Sequence, residues 1–395
     1  MRPLIVFGTR PEAIKLVSVQ RAFQRAGIEA LVVNTGQQAD IGVQASAAVG
    51  LKSDVSLDLM QPRQTPHQFL SRCLQALQET FPDATAFDQV VVQGDTTSTL
   101  AGALFGFYTG RPVAHVEAGL RTGDLASPFP EEGHRRLVAQ VTQWHFCPTR
   151  RERSTLLREN VPGSRIFVVG NTGIDALEHV CQASSDLRQV RTEPLVLITT
   201  HRRENLDTRL EQILVAVQRL AAANPRVEFL FPVHPNPKVA EAAQRILDGM
   251  KNVRLCAPLA FNDFARVLVR CRFAISDSGG VQEEAPHLGK PVVIVRDTTE
   301  RAAAVEAGSA FLVGAEGPAI VDVSQRLLDD ESFYRRAAVP RQLFGDGRAG
   351  ERIVAILRGL GAREFVAWGT RESTPSGPSG PRVRARKSAD AGAAQ

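Results

Sequence analysis

Short, uninterrupted apolar runs separated by helix-spaced segments constrain this chain more than any other feature. In the first half the runs are Leu4–Phe7, Ala30–Val33, Gln89–Val92, Pro112–Val116, Trp144–Cys147 and Arg165–Val169. In the second half they are Leu195–Thr199, Glu228–Val233, Val253–Ala257, Phe273–Ser276, Pro291–Val295 and Phe311–Val313. Runs rich in Val, Ile, Leu and Phe without polar alternation suit strands buried on both faces, as in parallel sheets. The intervening segments carry helical spacing, as in Leu210, Ile213, Leu214, Val217, Leu220 and Ala221. Strand–helix alternation predicts a parallel sheet covered by helices. The even division of runs about residue 170 predicts an α/β protein of two doubly wound domains, residues 1–170 and 171–345. A last helical pattern, Ile353, Ile356, Leu357 and Leu360, predicts a closing helix within 346–365, followed by a disordered tail over 366–395.

A chain of 395 residues is long enough for two such cores. Its 43% apolar and 23% charged residues exclude a mostly disordered chain. No apolar run approaches the length that crosses a membrane, so no membrane partner is expected. The first apolar run is cut short by Gly8-Thr9-Arg10, too early for a signal segment, which predicts a cytoplasmic protein whose chain begins with a strand. Five scattered cysteines, Cys73, Cys147, Cys181, Cys256 and Cys271, form no C-x-x-C pair. Cys147 and Cys256 read as small core residues. The net charge is +5, and the Ser-, Pro- and Gly-rich tail from Val366 carries +5 − 2 = +3 of it. The folded part shows no basic stripe with interleaved aromatics, so no nucleic-acid partner is expected.

Ligands bind open parallel sheets at the carboxyl ends of strands, and polar residues gather there in this chain. Gly8-Thr9-Arg10-Pro11 follows the first run, with Gly8 for the sharp turn and Arg10 and Lys15 able to reach an anion. Ser278-Gly279-Gly280 follows the strand Phe273–Ser276, where bare backbone N–H groups suit a phosphate and Glu284 suits a ribose or sugar hydroxyl. The competing reading is a glycine-rich turn capped by Ser278. Between these turns lie Asp95, Glu117 and Glu131, a set suited to proton transfer on a phosphorylated ligand. Asp95 also reads as a helix N-cap and Glu131 as a favourable first-turn charge. His201 and His234 each follow a second-half strand; neither has a second ligand at metal-binding spacing, so no metal is expected. Gly345-Asp346-Gly347-Arg348-Ala349-Gly350 matches the dinucleotide pattern, but no strand precedes it, so it reads as a loop before the last helix.

Together these segments resemble the non-hydrolysing UDP-N-acetylglucosamine 2-epimerases of bacterial type. The resemblance runs to about Gly361 on FGTRPEAIK, QGDTTST, HVEAGLRTGD, SPFPEE, GNTGIDAL, THRREN, PVHPNP, SDSGGVQEEA, GKPV, RDTTER and FGDG. It implies two Rossmann-like domains facing each other across a cleft, as in the GT-B type, with the last helix packing back on the first domain. It implies a homodimer, a UDP-sugar substrate and no cofactor. Arg10, Ser278, Gly279 and Gly280 match diphosphate contacts, Glu284 the ribose-binding carboxylate and Phe264 an aromatic beside the uracil. Asp95, Glu117 and Glu131 match the catalytic carboxylates, and His201 a histidine near the diphosphate. Gln37, Arg63, Arg202 and His234 match a site for a second, activating substrate molecule. The chain departs from the pattern at Gln38, Asp40, His134 and Ala302-Ala303. The implied reaction is reversible epimerisation at C2 of UDP-N-acetylglucosamine by loss and re-addition of UDP through a 2-acetamidoglucal. A GT-B glycosyltransferase or an epimerase of a related UDP-sugar is the alternative.

Overall fold

A computed structural model describes residues 1–38, 50–83, 85–183, 194–200 and 208–369. Every one of the apolar runs forms a strand, and all pair in parallel. The first sheet contains β1 (Pro3–Phe7), β2 (Leu31–Asn34), β3 (Val55–Ser56), β4 (Gln89–Gln93), β5 (Val113–Val116), β6 (Trp144–Cys147) and β7 (Ile166–Val168), in the spatial order β3-β2-β1-β4-β5-β6-β7. The second contains β8 (Leu195–Thr199), β9 (Glu228–Pro232), β10 (Val253–Cys256), β11 (Phe273–Ser276), β12 (Val292–Ile294) and β13 (Ala310–Leu312), in the order β10-β9-β8-β11-β12-β13. Both sheets are doubly wound: strand order reverses between β1 and β4 in one, and between β8 and β11 in the other. The crevice above each reversal is where a ligand fits, because the helices leave on opposite faces there.

Burial explains why these segments are strands. All five residues of β1 and of β4 are buried, and the register Leu4↔Val90, Ile5↔Val91 stacks one apolar run on the other. The helices cover both faces: α1 (Arg10–Arg25), α2 (Pro66–Thr80), α3 (Thr97–Tyr108), α4 (Glu131–Val141), α5 (Arg150–Arg158) and α6 (Thr172–Ala183) in the first half. In the second half they are α7 (Thr208–Ala223), α8 (Pro237–Leu247), α9 (Phe261–Arg270), α10 (Gly279–His287), α11 (Ala302–Glu306), α12 (Gly317–Asp329) and α13 (Glu331–Ala337), and α14 (Ala349–Leu357) closes the chain. Helix α7 shows the rule: Leu210, Ile213, Leu214, Val217 and Leu220 are buried along one stripe against β9 and β11.

Helix α14 returns to the first half and packs on α1 and α6. Gly350 permits this, because a Cβ there would lie 2.7 Å from the Ser18 carbonyl oxygen. Its N-terminus is capped from a distance: the Asp175 carboxylate on α6 accepts from the Ala349 N–H at 3.2 Å and the Gly350 N–H at 2.8 Å. Of the dinucleotide-like glycines, Gly345 and Gly347 lie in the loop before this helix, as their context predicts, and Gly350 lies in its first turn.

Four sequence expectations need correction. The two-residue edge strand β3 was not foreseen. Leu360 lies beyond α14 and is exposed, so only Ile353 and its neighbours carry the buried face. Cys256 is half-buried at the end of edge strand β10, not a core residue like Cys147. The expected tail begins too early: the Trp368 N–H donates to the Gln342 carbonyl at 2.9 Å, beside buried Phe365, and residues 370–395 lie outside the described residues.

Removing the Asp175 cap should loosen α14. Asp175→Ala should cost roughly 0.5–2 kcal/mol, seen as a lower Tm, and Asp175→Asn well under half of that because its amide oxygen still caps. Thermal melts showing equal losses for both would contradict the capping role.

Candidate active site

The β1 end and the β4 end meet at the first reversal. Their loops carry Arg10 and Asp95, and β5 beside them ends at Glu117. A cavity of about 140 Å³ lies there, its wall including Lys15, Gln93, Asp95, Glu117 and Arg135. Adjacent parallel strands thus bring Asp95 and Glu117 to one crevice, as consecutive runs predict.

Glu117 is held by charge and by backbone. Its φ of 66° lies in the left-handed region, which costs a non-glycine residue about 1–2 kcal/mol and is tolerated where surroundings over-determine it. Lys15 Nζ makes a short ion pair with its Oε2, and Gln93 Nε2 donates to the same oxygen at 2.5 Å. Burial works to push the Glu117 carboxyl up, but the Lys15 cation, with Arg301 and Arg135 beyond it, outweighs burial and holds it below the usual carboxylate range. Lys15 stays charged for the same reason: burial opposes its charge, while Glu117 and Glu283 raise its pKa.

Asp95 is paired, not a cap. The N-cap of α3 is Thr96, whose hydroxyl accepts from the Thr99 N–H. Asp95 Oδ2 instead accepts from Arg135 Nε at 2.8 Å and ion-pairs with Arg135 Nη2 at 2.7 Å. His134 Nδ1 lies 2.9 Å from the Asp95 carbonyl oxygen and donates to it. Glu131 opens α4 but does not line the cavity, and its Oε2 is buried without a hydrogen-bond partner among the described residues. Gly8 does not need an unusual φ; it needs space, since a Cβ there would lie 2.1 Å from Ser98 Oγ.

The second reversal places the other turn. Ser278 is the N-cap of α10 yet makes no side-chain capping bond, so the capped-turn reading fails for its hydroxyl. A Cβ on Gly279 would lie 3.0 Å from the Arg301 guanidinium carbon, so that cation rests against the turn, while Gly280 is exposed. Arg301 Nε donates to Glu283 at 2.8 Å, and Asn171 Nδ2 donates to the other Glu283 oxygen at 2.5 Å. The Glu284 carboxyl is pushed up to about 8, first by burial and then by Glu283. Phe264 is half-buried on α9 against the second core. Arg10 crosses between the halves: its Nη2 donates to the Leu259 carbonyl at 2.7 Å.

The proposed activator set is scattered in this structure. Gln37 Oε1 accepts from the Ser98 N–H at 3.0 Å and its hydroxyl at 2.7 Å, at the start of α3. Arg63, exposed with φ 59°, lines a separate open groove with His67 and Arg72. His234 is exposed and accepts from the Asn236 N–H at 3.2 Å. His201, Arg202 and Asp40 lie outside the described residues. The sequence reading missed Arg135, Gln93, Arg301 and Glu283; Arg135 had a signal, falling one helical turn after Glu131.

Two doubly wound halves with phosphate-type turns and paired carboxylates at their reversals define a GT-B enzyme of the nucleotide-sugar class. A family model described as UDP-N-acetylglucosamine 2-epimerase matches residues 21–358. The chain is 42% identical over 371 residues to the UDP-N-acetylglucosamine 2-epimerase of Escherichia coli K12, covering 91% of this chain and 98% of that one. It is 41% identical to the Bacillus subtilis enzyme of the same name over 361 residues, 90% of this chain and 95% of that one. Among solved structures, it is similar to the Neisseria meningitidis UDP-GlcNAc 2-epimerase bound to UDP-GlcNAc, at TM-score 0.85 and 37% identity over 91% of this chain and all of that one. A forosaminyltransferase at TM-score 0.60 and 18% identity shares the fold alone. The chain belongs to the UDP-N-acetylglucosamine 2-epimerase family, a family of isomerases.

The raised Glu284 carboxyl makes a pH prediction. It stays protonated in the fold up to about 8, against 4.5 when unfolded, so its contribution to stability is present at low pH and lost as pH rises through that window. Glu284→Gln should therefore melt like wild type near pH 5 and above it at pH 8.5. A melting difference independent of pH would contradict this.

Proposed function

We propose that the chain interconverts UDP-N-acetylglucosamine and UDP-N-acetylmannosamine by eliminating UDP and adding it back. The observation that carries this reading is the cavity in which Asp95 and Glu117 end adjacent strands, each paired with a cation, Arg135 or Lys15. The chemistry follows from the substrate. C2–H is next to no carbonyl, so its proton is acidified only as the C1–O bond to the diphosphate breaks and positive charge develops at C1. A carboxylate then takes the proton, leaving a 2-acetamidoglucal and UDP in the cleft. Protonation on the other face and return of UDP give the manno isomer.

Asp95, Glu117 and Glu131 act in these proton transfers. Arg10 and the backbone N–H groups of the Ser278–Gly280 turn hold the leaving diphosphate, with Arg301 behind that turn adding positive potential. Glu284 takes the ribose and Phe264 the uracil. The raised Glu284 supports this, because ribose hydroxyls that donate to its ionised form supply the stabilisation that burial removes. His201 acts near the diphosphate; Gln37, Arg63, Arg202 and His234 match a second-substrate site by resemblance, and with Gln38 and Asp40 at altered positions activation there should be weak or absent. Two domains serve, the first extending past the expected boundary at residue 170, because Ala176, Leu177 and Val180 of α6 join the core of the first sheet. A homodimer is supported by Phe107 and Tyr108 on α3 and Leu137 on α4, all exposed on helices that pack together. A cytoplasmic location is supported by five free thiols, and no described helix is long and apolar enough to cross a membrane.

The test is epimerisation of UDP-N-acetylglucosamine in heavy water. Wild type should introduce deuterium at C2 of both isomers. Asp95→Asn, Glu117→Gln and Glu131→Gln should each slow turnover roughly 10²–10⁴-fold with UDP affinity retained. Wild-type product free of deuterium would overturn the route, and a near-normal rate in any variant would remove that residue from it.

A further inference from the structure

Glu12 is a fully buried carboxylate that the reaction above leaves without a task, although it borders the same cavity. It accepts five hydrogen bonds, all from neutral donors. Oε2 takes the Gly8 N–H at 3.0 Å, the Thr9 N–H at 2.8 Å and the Thr9 hydroxyl at 2.7 Å. These three are local and complete the capping box of α1. Oε1 takes the Thr96 hydroxyl at 2.7 Å and the Thr99 hydroxyl at 2.9 Å, from residues 84 and 87 positions away.

A capping box works at a solvated helix end, where the carboxylate keeps much of its water. Here the carboxylate is wholly removed from water, a larger penalty than a cap returns. Burial accordingly pushes the Glu12 carboxyl up, and the donors oppose it. What the burial secures is the pair of bonds across loops. One loop carries Arg10, and the other carries Asp95. The tie continues into Glu117's surroundings, since the single Thr99 hydroxyl proton is shared between Glu12 Oε1 and the carbonyl of Gln93, whose side-chain amide holds Glu117. On the far side of the same junction Thr35 Oγ1 and Ser98 Oγ are 2.7 Å apart and close over Gly8, where a Cβ would lie 2.2 and 2.1 Å from them.

We infer that Glu12 is a positioning residue: by clamping the β1–α1 turn to the β4–α3 turn, it sets the spacing between the Arg10 grip on the diphosphate and the Asp95 carboxylate. This rests on the reading of the site given above. Each loop keeps its own fold without the clamp, so binding of UDP depends on it little, and alignment of the sugar against Asp95 depends on it strongly.

Three variants divide the roles. Thr99→Val removes one of the two cross-loop bonds, the Thr96 hydroxyl keeping the other, and leaves the α1 capping box intact. Glu12→Ala cuts both sides. Glu12→Gln keeps a bridge, because its oxygen accepts from the fixed backbone N–H groups while the threonine hydroxyls rotate to accept from its amide. kcat and KM for UDP-N-acetylglucosamine, Kd for UDP and Tm are measured for each. Thr99→Val and Glu12→Ala should lower kcat roughly 10–100-fold, the scale of an ångström-sized misplacement, with UDP Kd within about 3-fold of wild type. Glu12→Gln should stay within about 5-fold of wild-type kcat. Unchanged kcat in the folded variants, or kcat and UDP affinity falling by the same factor, would overturn the inference. Should Glu12→Ala fail to fold, Thr99→Val decides alone. Wild type that fails to exchange C2 would sink the reaction assigned to the site, a result distinct from either outcome for Glu12.

Discussion

The ion pair between Lys15 and Glu117, largely but not wholly withdrawn from water, is the interaction on which the site depends. Taking two charges out of water is repaid only when they meet in good geometry with further hydrogen bonds, and removing one partner from such a pair costs about 3–5 kcal/mol. The chain meets these conditions from three directions. Helix α1 must start directly after β1, so that Lys15 falls in its second turn. Strand β5 must be followed by a left-handed residue, Glu117, whose carboxylate meets that helix at Lys15. Gln93, ending β4, fills the remaining hydrogen bond.

The same pair reaches across to the second half. Glu283 reinforces the Lys15 charge, and Arg301, bound to Glu283, helps hold Glu117 ionised. Asn171, which follows the last strand of the first sheet, grips Glu283 from the first half. Alternating charges therefore run from Glu117 through Lys15, Glu283 and Arg301 to the Gly279–Gly280 turn. A ligand whose diphosphate sits on that turn and whose sugar lies over Glu117 would bring its own negative charge into this row. The arrangement suits a reaction in which the diphosphate becomes more negative as it leaves and the sugar loses a proton beside it.

Much of this was legible in the residues. Continuous apolar runs announced the strands because a parallel strand covered on both faces has no polar side to show. The strand ends announced Arg10, Lys15, Asp95 and Glu117 because a doubly wound sheet has few other places for polar side chains to converge. What stayed hidden depends on partners distant in sequence. Asp95 and Thr96 are both plausible caps by local chemistry, and only the position of Arg135 decides between them. Glu12 looks like an ordinary capping-box acid until Thr96 and Thr99 arrive from another loop. Edge strand β3, with two residues, is too short to leave an apolar run, and Phe365 is buried by a return of the chain that composition alone assigned near the tail.

The central claim is that this cleft breaks and re-forms the bond between the sugar and the diphosphate. It is tested most directly with UDP-N-acetylglucosamine carrying heavy oxygen in the bridge between C1 and the β-phosphorus. If UDP departs within the cleft, rotation of its free β-phosphate exchanges the bridging oxygen with its neighbours before the bond returns. The account predicts recovered substrate with label spread into the non-bridging positions at a rate comparable with epimer formation. Epimer accumulating while all label remains in the bridge would contradict it.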